Sequence, residues 1–175
     1  MDIPYICKYK NFDIDKLNIS EFDIKYNSNS FYIQTPIFTD YEISNYNDKK
    51  YLELKLNETK TPHINFLTLI DSIEIKINKH MNNYANNNAN NNATNNANNS
   101  NNIKTQIKTQ IKTQIITNIQ NQKSLKVKFN DTTTLYDSDK NLVKNLYNNK
   151  ISILLKLEFY RSYYSLIAIQ ILQLN

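Results

Sequence analysis

Apolar and polar residues alternate in several short segments of this sequence, and a two-residue period is typical of strands with one buried face. In residues 51–56, three leucines alternate with a tyrosine, a glutamate and a lysine. Residues 31–35 alternate in the same way and stop at Pro36, which cannot donate to a β ladder and suits a strand end or edge. These segments predict strands that direct one apolar face to the core, and rings and charges to water or a ligand.

The same pattern predicts further strands in both halves of the chain. Residues 17–26 predict at least one strand. Residues 124–129 predict a strand with a basic outer face, because apolar residues alternate there with two lysines. Residues 135–136 are expected to continue it as a hairpin after an intervening turn. Residues 151–174 predict two long strands folded back on each other, and the second is apolar enough to suit a central position.

Residues 61–81 predict one helix. Thr61 suits the N-cap and Pro62 the first helical position, where its missing N–H costs nothing. Apolar residues then recur at helical spacing: Phe66, Leu69, Ile70, Ile73 and Ile77. The β-branched content of the second half lowers helix propensity, so a strand through residues 73–77 is the alternative. Residues 141–150 predict a short helix or a loop.

A polar tract interrupts the chain. Residues 82–102 contain 14 asparagines in 21 positions, and such a segment cannot bury enough apolar surface to offset its ordering entropy, which predicts disorder. Ile-Lys-Thr-Gln then occurs three times in residues 103–114. This repeat is compatible with a helix or a strand, but repeat expansion within a loop is the simplest interpretation. We therefore predict a single domain over residues 1–175 with a low-complexity insertion at 82–123.

The chain contains no glycine. Phosphate-binding loops of the Walker or dinucleotide type need glycine where the backbone approaches the phosphate, so they are excluded. Tight turns must instead use asparagine and aspartate, which tolerate positive φ angles. The candidate turns are residues 27–29, 47–48, 130–131 and 148–149.

The chemistry-bearing residues are few and scattered. A single cysteine, Cys7, excludes an internal disulfide and a cysteine-rich zinc site, and we expect a buried or incidental thiol. His63 and His80 lie at opposite ends of the predicted helix, too far apart to share a metal ion, and are expected at the surface or at a helix cap. Acidic residues occur singly. We therefore expect a protein that is not an enzyme and uses no metal or other cofactor.

The sequence also suggests a location. The N-terminus has no apolar segment of the signal-peptide type. No apolar run approaches the roughly 18 residues that a membrane-spanning helix needs. We expect an intracellular protein without a membrane partner.

Positive charge is concentrated in the second half of the chain. Residues 1–81 hold ten lysines against twelve acidic residues, a net charge of −2. Residues 82–175 hold ten lysines and one arginine against four acidic residues, a net charge of +7. A basic half suggests a polyanionic partner. The alternative is that an AT-rich coding sequence, which favours Asn, Lys, Ile and Tyr, supplies the lysines.

Lysines and tyrosines share the outer parity of the predicted strands. Lysines pair with phosphates, and tyrosine rings can stack on unpaired bases of any identity. Several strands, one helix and a basic aromatic face together suit a mainly β, OB-like barrel that binds single strands. The candidate nucleic-acid-binding residues are Tyr32, Tyr51, Lys55, Lys126, Lys128, Lys156, Tyr160 and Arg161.

Residues 31–71 resemble the pattern of a known family. A Gln-Thr-Pro motif at 34–36, the strand at 51–56 and the Phe66 to Asp71 segment together are similar to the single-stranded DNA-binding proteins of large nucleocytoplasmic DNA viruses. The resemblance extends over residues 8–81 and 124–175. It implies a phage-type-like OB fold, a replication role without catalysis, and a place in the host cytoplasm where viral DNA is copied.

We therefore expect non-sequence-specific binding of single-stranded DNA during viral DNA replication or repair. RNA is the alternative ligand, and self-association or replication proteins are further expected partners. The rival hypothesis is a non-enzymatic structural or interaction module, such as a virion component. A nuclease is a third hypothesis, and the absence of a carboxylate cluster in the sequence argues against it.

Overall fold

The fold is mainly β with one helix, as predicted. A computed structural model of the chain describes residues 4–20, 23–92, 116–119, 122–147, 150–160 and 163–174. The helix is α1 (Thr61–Asn92). The strands within these residues are β1 (Tyr5–Lys8), β2 (Leu17–Ile19), β3 (Ile24–Tyr26), β4 (Phe31–Gln34), β5 (Tyr41–Tyr46), β6 (Lys49–Lys55), β7 (Ile116–Ile119), β8 (Gln122–Phe129), β9 (Thr134–Tyr136), β10 (Leu142–Val143), β11 (Lys150–Tyr160) and β12 (Tyr163–Leu174).

Ten of these strands form one sheet. Seven of them follow one another in the order β1-β4-β11-β12-β8-β6-β5, and β7, β9 and β10 pair beside this path. The antiparallel β11 and β12 lie at its centre, as their length and apolar character predicted. β8 and β9 both run parallel to β12 along the same edge, and β10 pairs with β9. The expected hairpin between β8 and β9 is therefore wrong, because β12 offers each of them a partner. β2 and β3 form a separate hairpin.

The sheet does not close into a barrel, so the predicted OB-like barrel is wrong in this respect. Its path ends at β1 on one side and β5 on the other, and these strands are not paired with each other in the described part of the chain. Closure is one way for a sheet to bury its inner face, and a packed helix is another. Here α1 covers the inner face, so the core does not need a closed sheet.

The core lies between α1 and the inner face of the sheet. Leu52, Leu54 and Leu56 are buried, as the alternation predicted, and so are the inward residues of β11. The helix contributes a stripe of buried residues to the same cluster: Phe66, Leu67, Leu69, Ile70, Ile73, Ile77 and Met81. Burying such apolar side chains contributes about 1.5–3 kcal/mol each, so this cluster dominates the stability.

The helix begins at Thr61, one residue before the predicted first position at Pro62, and the Lys60 carbonyl rather than that of Thr61 accepts its first hydrogen bond, from the Ile64 N–H at 3.1 Å. Residues 73–77 are helical rather than extended. The helix does not end near His80 but continues to Asn92, so the disorder predicted from residue 82 is not found over residues 82–92. Asparagine is a weak helix former, but no glycine or proline follows Met81 to stop propagation. The remainder of the tract and the Ile-Lys-Thr-Gln repeat lie outside the described residues.

Asparagine-based turns do replace glycine. Asn47 and Asp48 have φ angles of 48° and 59°, the geometry of a two-residue hairpin turn that matches strand twist. Asn27 and Ser28 have φ angles of 49° and 64°. The candidate turn at 148–149 lies outside the described residues. Lys140, at φ 65°, adopts positive φ without being predicted to do so.

The Gln-Thr-Pro motif joins β4 to the centre of the sheet. The backbone N–H of Thr35 donates to the Ile153 carbonyl at 2.9 Å. The Ile153 N–H donates in return to the side-chain hydroxyl of Thr35 at 3.0 Å, and that hydroxyl donates to the Pro36 carbonyl at 2.8 Å. A threonine hydroxyl therefore takes the place of a ladder carbonyl where Pro36 interrupts the strand.

Candidate nucleic-acid interface

The outer face of the sheet, opposite α1, carries a row of predicted site residues. Lys156 lies opposite Ile167 on β12, and Ile167 lies beside Lys128 on β8. Lys128 in turn lies opposite Tyr51 on β6. Three strand spacings of about 4.8 Å separate the backbones of Lys156 and Tyr51, or roughly 14 Å. Tyr32 on β4 is the residue next to the last pair of β4 with β11, Ile33 with Leu155. It therefore lies beside Lys156, on the side away from β12.

Lys126 and two tyrosines form the tightest group on this face. The Lys126 ammonium lies 4.5 Å from the ring centroid of Tyr51 and 5.7 Å from that of Tyr46. A cation held over aromatic faces in this way is stabilised by about 0.5–1 kcal/mol at an exposed site. The rings therefore hold the Lys126 side chain in place above the sheet.

Tyr46 is a site residue that the sequence analysis missed. It is 63% exposed, at the end of β5, and shares the parity of Ser44, which lies opposite Tyr51. The signal was available in the sequence, because the Asn47-Asp48 turn fixes the register of the β5–β6 hairpin. That register places Tyr46 on the same face as Tyr51.

Acidic neighbours distinguish the predicted lysines. Lys55 is paired with Glu42 and lies 3.7 Å from Asp40, and the hydrogen bond with Glu42 raises the pKa of Lys55. Lys156 lies 3.3 Å from Glu158. Lys126 and Lys128 have no ion pair among the described residues, although Glu53, which accepts from the Ser44 hydroxyl at 2.9 Å, lies opposite Lys126 on β6. Their charge is therefore less neutralised than that of Lys55 and Lys156.

The predicted residues fall into two sets. Tyr51, Lys126 and Lys128 are brought together on adjacent strands, with Lys55 four residues along β6 from Tyr51 and Lys156 farther across the row. Tyr160 ends β11, at the far end of that strand from Lys150. Arg161 lies outside the described residues.

The residues considered for catalysis and metal binding have structural positions. His63 lies in the first turn of α1, close to the helix cap that was one of its two expected positions, but it is buried rather than at the surface. The Asn57 N–H donates to its Nδ1 at 2.9 Å, so we assign the hydrogen to Nε2, which contacts the Ile37 carbonyl at 2.9 Å. Cys7 is buried as expected, and burial raises the pKa of its thiol.

Two other features, a metal-binding cluster and a membrane-spanning helix, are absent from the described residues. These residues contain no group of three or more His, Cys, Asp or Glu side chains placed to hold a metal ion. The helix they contain is not apolar enough over a sufficient length to cross a membrane.

The fold and this face together define an open, mainly β sheet backed by one helix, with lysines and tyrosines on its uncovered side. Comparison with known protein families, with curated proteins and with solved structures found no match for the chain. The outer face itself is therefore the basis for assigning a function.

Proposed function

We propose that this protein binds single-stranded nucleic acid, DNA in the first place, without sequence specificity through the outer face of its sheet. The observation that supports the proposal best is the group of Lys126 and Lys128 beside Tyr46 and Tyr51. Both ammonium groups lack an acidic partner among the described residues, and both rings stand on a face that α1 leaves uncovered. Phosphate-neutralising cations next to stacking rings are the two components of single-strand binding.

The two components have different roles in this arrangement. Lys126 and Lys128 would neutralise phosphates and release counterions, which supplies affinity without reading sequence. Tyr46, the more exposed ring, would accept a stacked base. Tyr51 already has the Lys126 ammonium over one side of its ring, so a base stacking on that side must displace it. We therefore assign Tyr51 mainly to positioning Lys126.

The biological setting of the proposal comes from the sequence resemblance. Single-stranded DNA-binding proteins of large DNA viruses coat unpaired template during replication or repair, and we propose the same role here, in the host cytoplasm. The proposal does not require a closed OB barrel. It requires only an open sheet that offers one face to the strand. Lys156 and Tyr32 would extend the path of the strand across that face.

Fluorescence anisotropy with labelled oligo-dT tests the proposal. Affinity is expected to fall with salt by about 0.7 log units per log unit of salt for each phosphate neutralised. Changing Lys126→Glu together with Lys128→Glu should remove two such contacts, weaken binding at least tenfold and flatten the salt dependence. Absence of wild-type binding at about 50 mM salt would refute the proposal.

A matched control separates a specific face from general charge. Lys16→Glu together with Lys79→Glu makes the same change in net charge on the side of the molecule that carries α1, because Lys79 lies on α1 and Lys16 lies in the segment that Lys76 of α1 contacts. This control should bind nearly as well as the wild type. If both double variants lose the same affinity, net charge alone attracts DNA. If the first variant binds DNA like the wild type, the DNA does not use this face and the assignment of the interface is refuted.

A further inference from the structure

A depression of about 350 Å³ lies on the same outer face, next to the row of Lys156 and Lys128. Its volume is within the usual range for a small-ligand site. Its lining includes Ile6, Gln34, Tyr136, Lys140, Leu154 and Gln170. The side chain of Leu154 forms part of it and lies two residues before Lys156 on β11, or roughly 7 Å along the strand.

A β-bulge creates this depression. Leu154 lies opposite Gln170, but Leu155 lies opposite Ala168, so Ile169 is an extra residue on β12. Bulges bend the strand that carries them and redirect neighbouring side chains. At the same point β12 changes partner from β8 to β9, and the hydroxyl of Thr134 donates to the Ile169 carbonyl at 3.3 Å. The extra residue on β12 and the change of its partner strand therefore interrupt the regular surface of the sheet at this point.

Two glutamine amides flank the apolar floor of the depression. Gln34 lies opposite Leu154 on one side, and Gln170 lies opposite Leu154 on the other. Neither amide has a side-chain hydrogen bond within the described part of the protein. Gln173 provides a contrast, because it is buried and bonds to the backbone of Asn145 and Tyr147 at 2.9 and 2.8 Å. Among the residues that the structure describes, Gln34 and Gln170 therefore each keep a donor and an acceptor without a protein partner.

Three lysines surround the depression. Lys140 lines one side and Lys8 lies beside Gln34 on β1. Lys156 follows Leu154 on another side, where its exposed pair with Glu158 would have to open for it to reach a phosphate. A flat group with apolar faces, a polar edge and a phosphate on either side is complementary to these features. A nucleobase within a single strand has all three properties.

We propose that this depression receives one unstacked base of the strand bound across the outer face. The inference rests on the proposed function and assigns a base-binding subsite to it. Gln34 and Gln170 hydrogen-bond the polar edge of the base, Leu154 and Ile6 contact its faces, and the lysines hold the flanking phosphates. Because an amide can present a donor or an acceptor, this subsite accepts any base and is compatible with non-specific binding.

The test compares two strands of equal charge, oligo-dT of 12 nucleotides and a fully abasic 12-mer, in binding to the full chain. Gln34→Leu together with Gln170→Leu keeps side-chain size and net charge but removes both amides. This variant should lose about tenfold in affinity for oligo-dT, and should bind the abasic strand within twofold of the wild type. Asn11→Leu together with Asn65→Leu, two exposed amides elsewhere, should change neither affinity.

The possible results are distinguishable. If the wild type binds neither strand, the proposed function itself fails. If the wild type binds oligo-dT and the glutamine variant binds it equally well, only the base-binding subsite is overturned. If free thymidine monophosphate competes at the micromolar level, the site takes a free nucleotide, and its assignment to the bound strand is wrong. Circular dichroism and a thermal melt of each variant verify that it is folded.

Discussion

Replacing Thr35 by valine isolates the contribution of the Gln-Thr-Pro motif to stability. Valine matches threonine in shape but offers no acceptor to the N–H of Ile153, a residue with no exposed surface. A buried donor that loses its acceptor costs about 1–3 kcal/mol. For a chain of this length each kcal/mol shifts Tm by about 2–4 °C, so Thr35→Val should lower Tm by about 2–12 °C.

Thr35→Ser is the matched control. Serine keeps the hydroxyl that accepts from the Ile153 N–H, and loses only a methyl group worth about 0.8 kcal/mol. Urea unfolding followed by circular dichroism gives the free energy of unfolding of both variants and the wild type. We expect the order wild type, serine, valine. A valine variant at least as stable as the serine variant would refute the assignment of the hydroxyl as a ladder acceptor.

Two further predictions concern a buried ring and a turn. His63→Ala leaves the Asn57 N–H and the Ile37 carbonyl without their partner, so unfolding free energy should fall by about 2–4 kcal/mol; His63→Gln, which can restore one of the two bonds, should recover part of it. Hydrogen bonds from the backbone and side chain of its own turn lower the pKa of Asp137. The ionised Asp137 therefore stabilises the folded protein above the unfolded pKa of about 3.9, and this stabilisation is lost as pH falls through the folded pKa. A carboxyl NMR titration of the folded protein that finds a pKa at or above about 3.9 would contradict this.

The strands and turns were predictable where one face is buried and local geometry is strict. The leucines of β6 alternate with polar residues because successive side chains of a strand point to opposite faces of the sheet. Asn47 and Asp48 occupy the hairpin turn because positive φ is cheapest there for these residue types when glycine is absent. Pro62 predicted the start of α1 to within one residue. These features depend only on residues that are neighbours in the sequence, so they can be predicted from one sequence.

Strand order and the composition of the candidate site depend on distant parts of the chain. No local pattern indicates that β8 would pair in parallel with β12, or that α1 would make closure of the sheet unnecessary. The pairing of Lys55 with Glu42, 13 residues apart on neighbouring strands, removed one predicted binding charge. Gln34 and Gln170 flank one depression although 136 positions separate them in the sequence.

The central position of β11 and β12 has a consequence for how the protein is made. Every other strand precedes them in the sequence, yet β4 on one side and β8 on the other reach each other only through this pair. A ribosome therefore releases the apolar inner surfaces of β4, β6 and α1 before the element that unites them exists. Such long-range assembly is slow and leaves intermediates prone to aggregation. Co-translational capture by a chaperone should accordingly persist until the last hairpin has emerged.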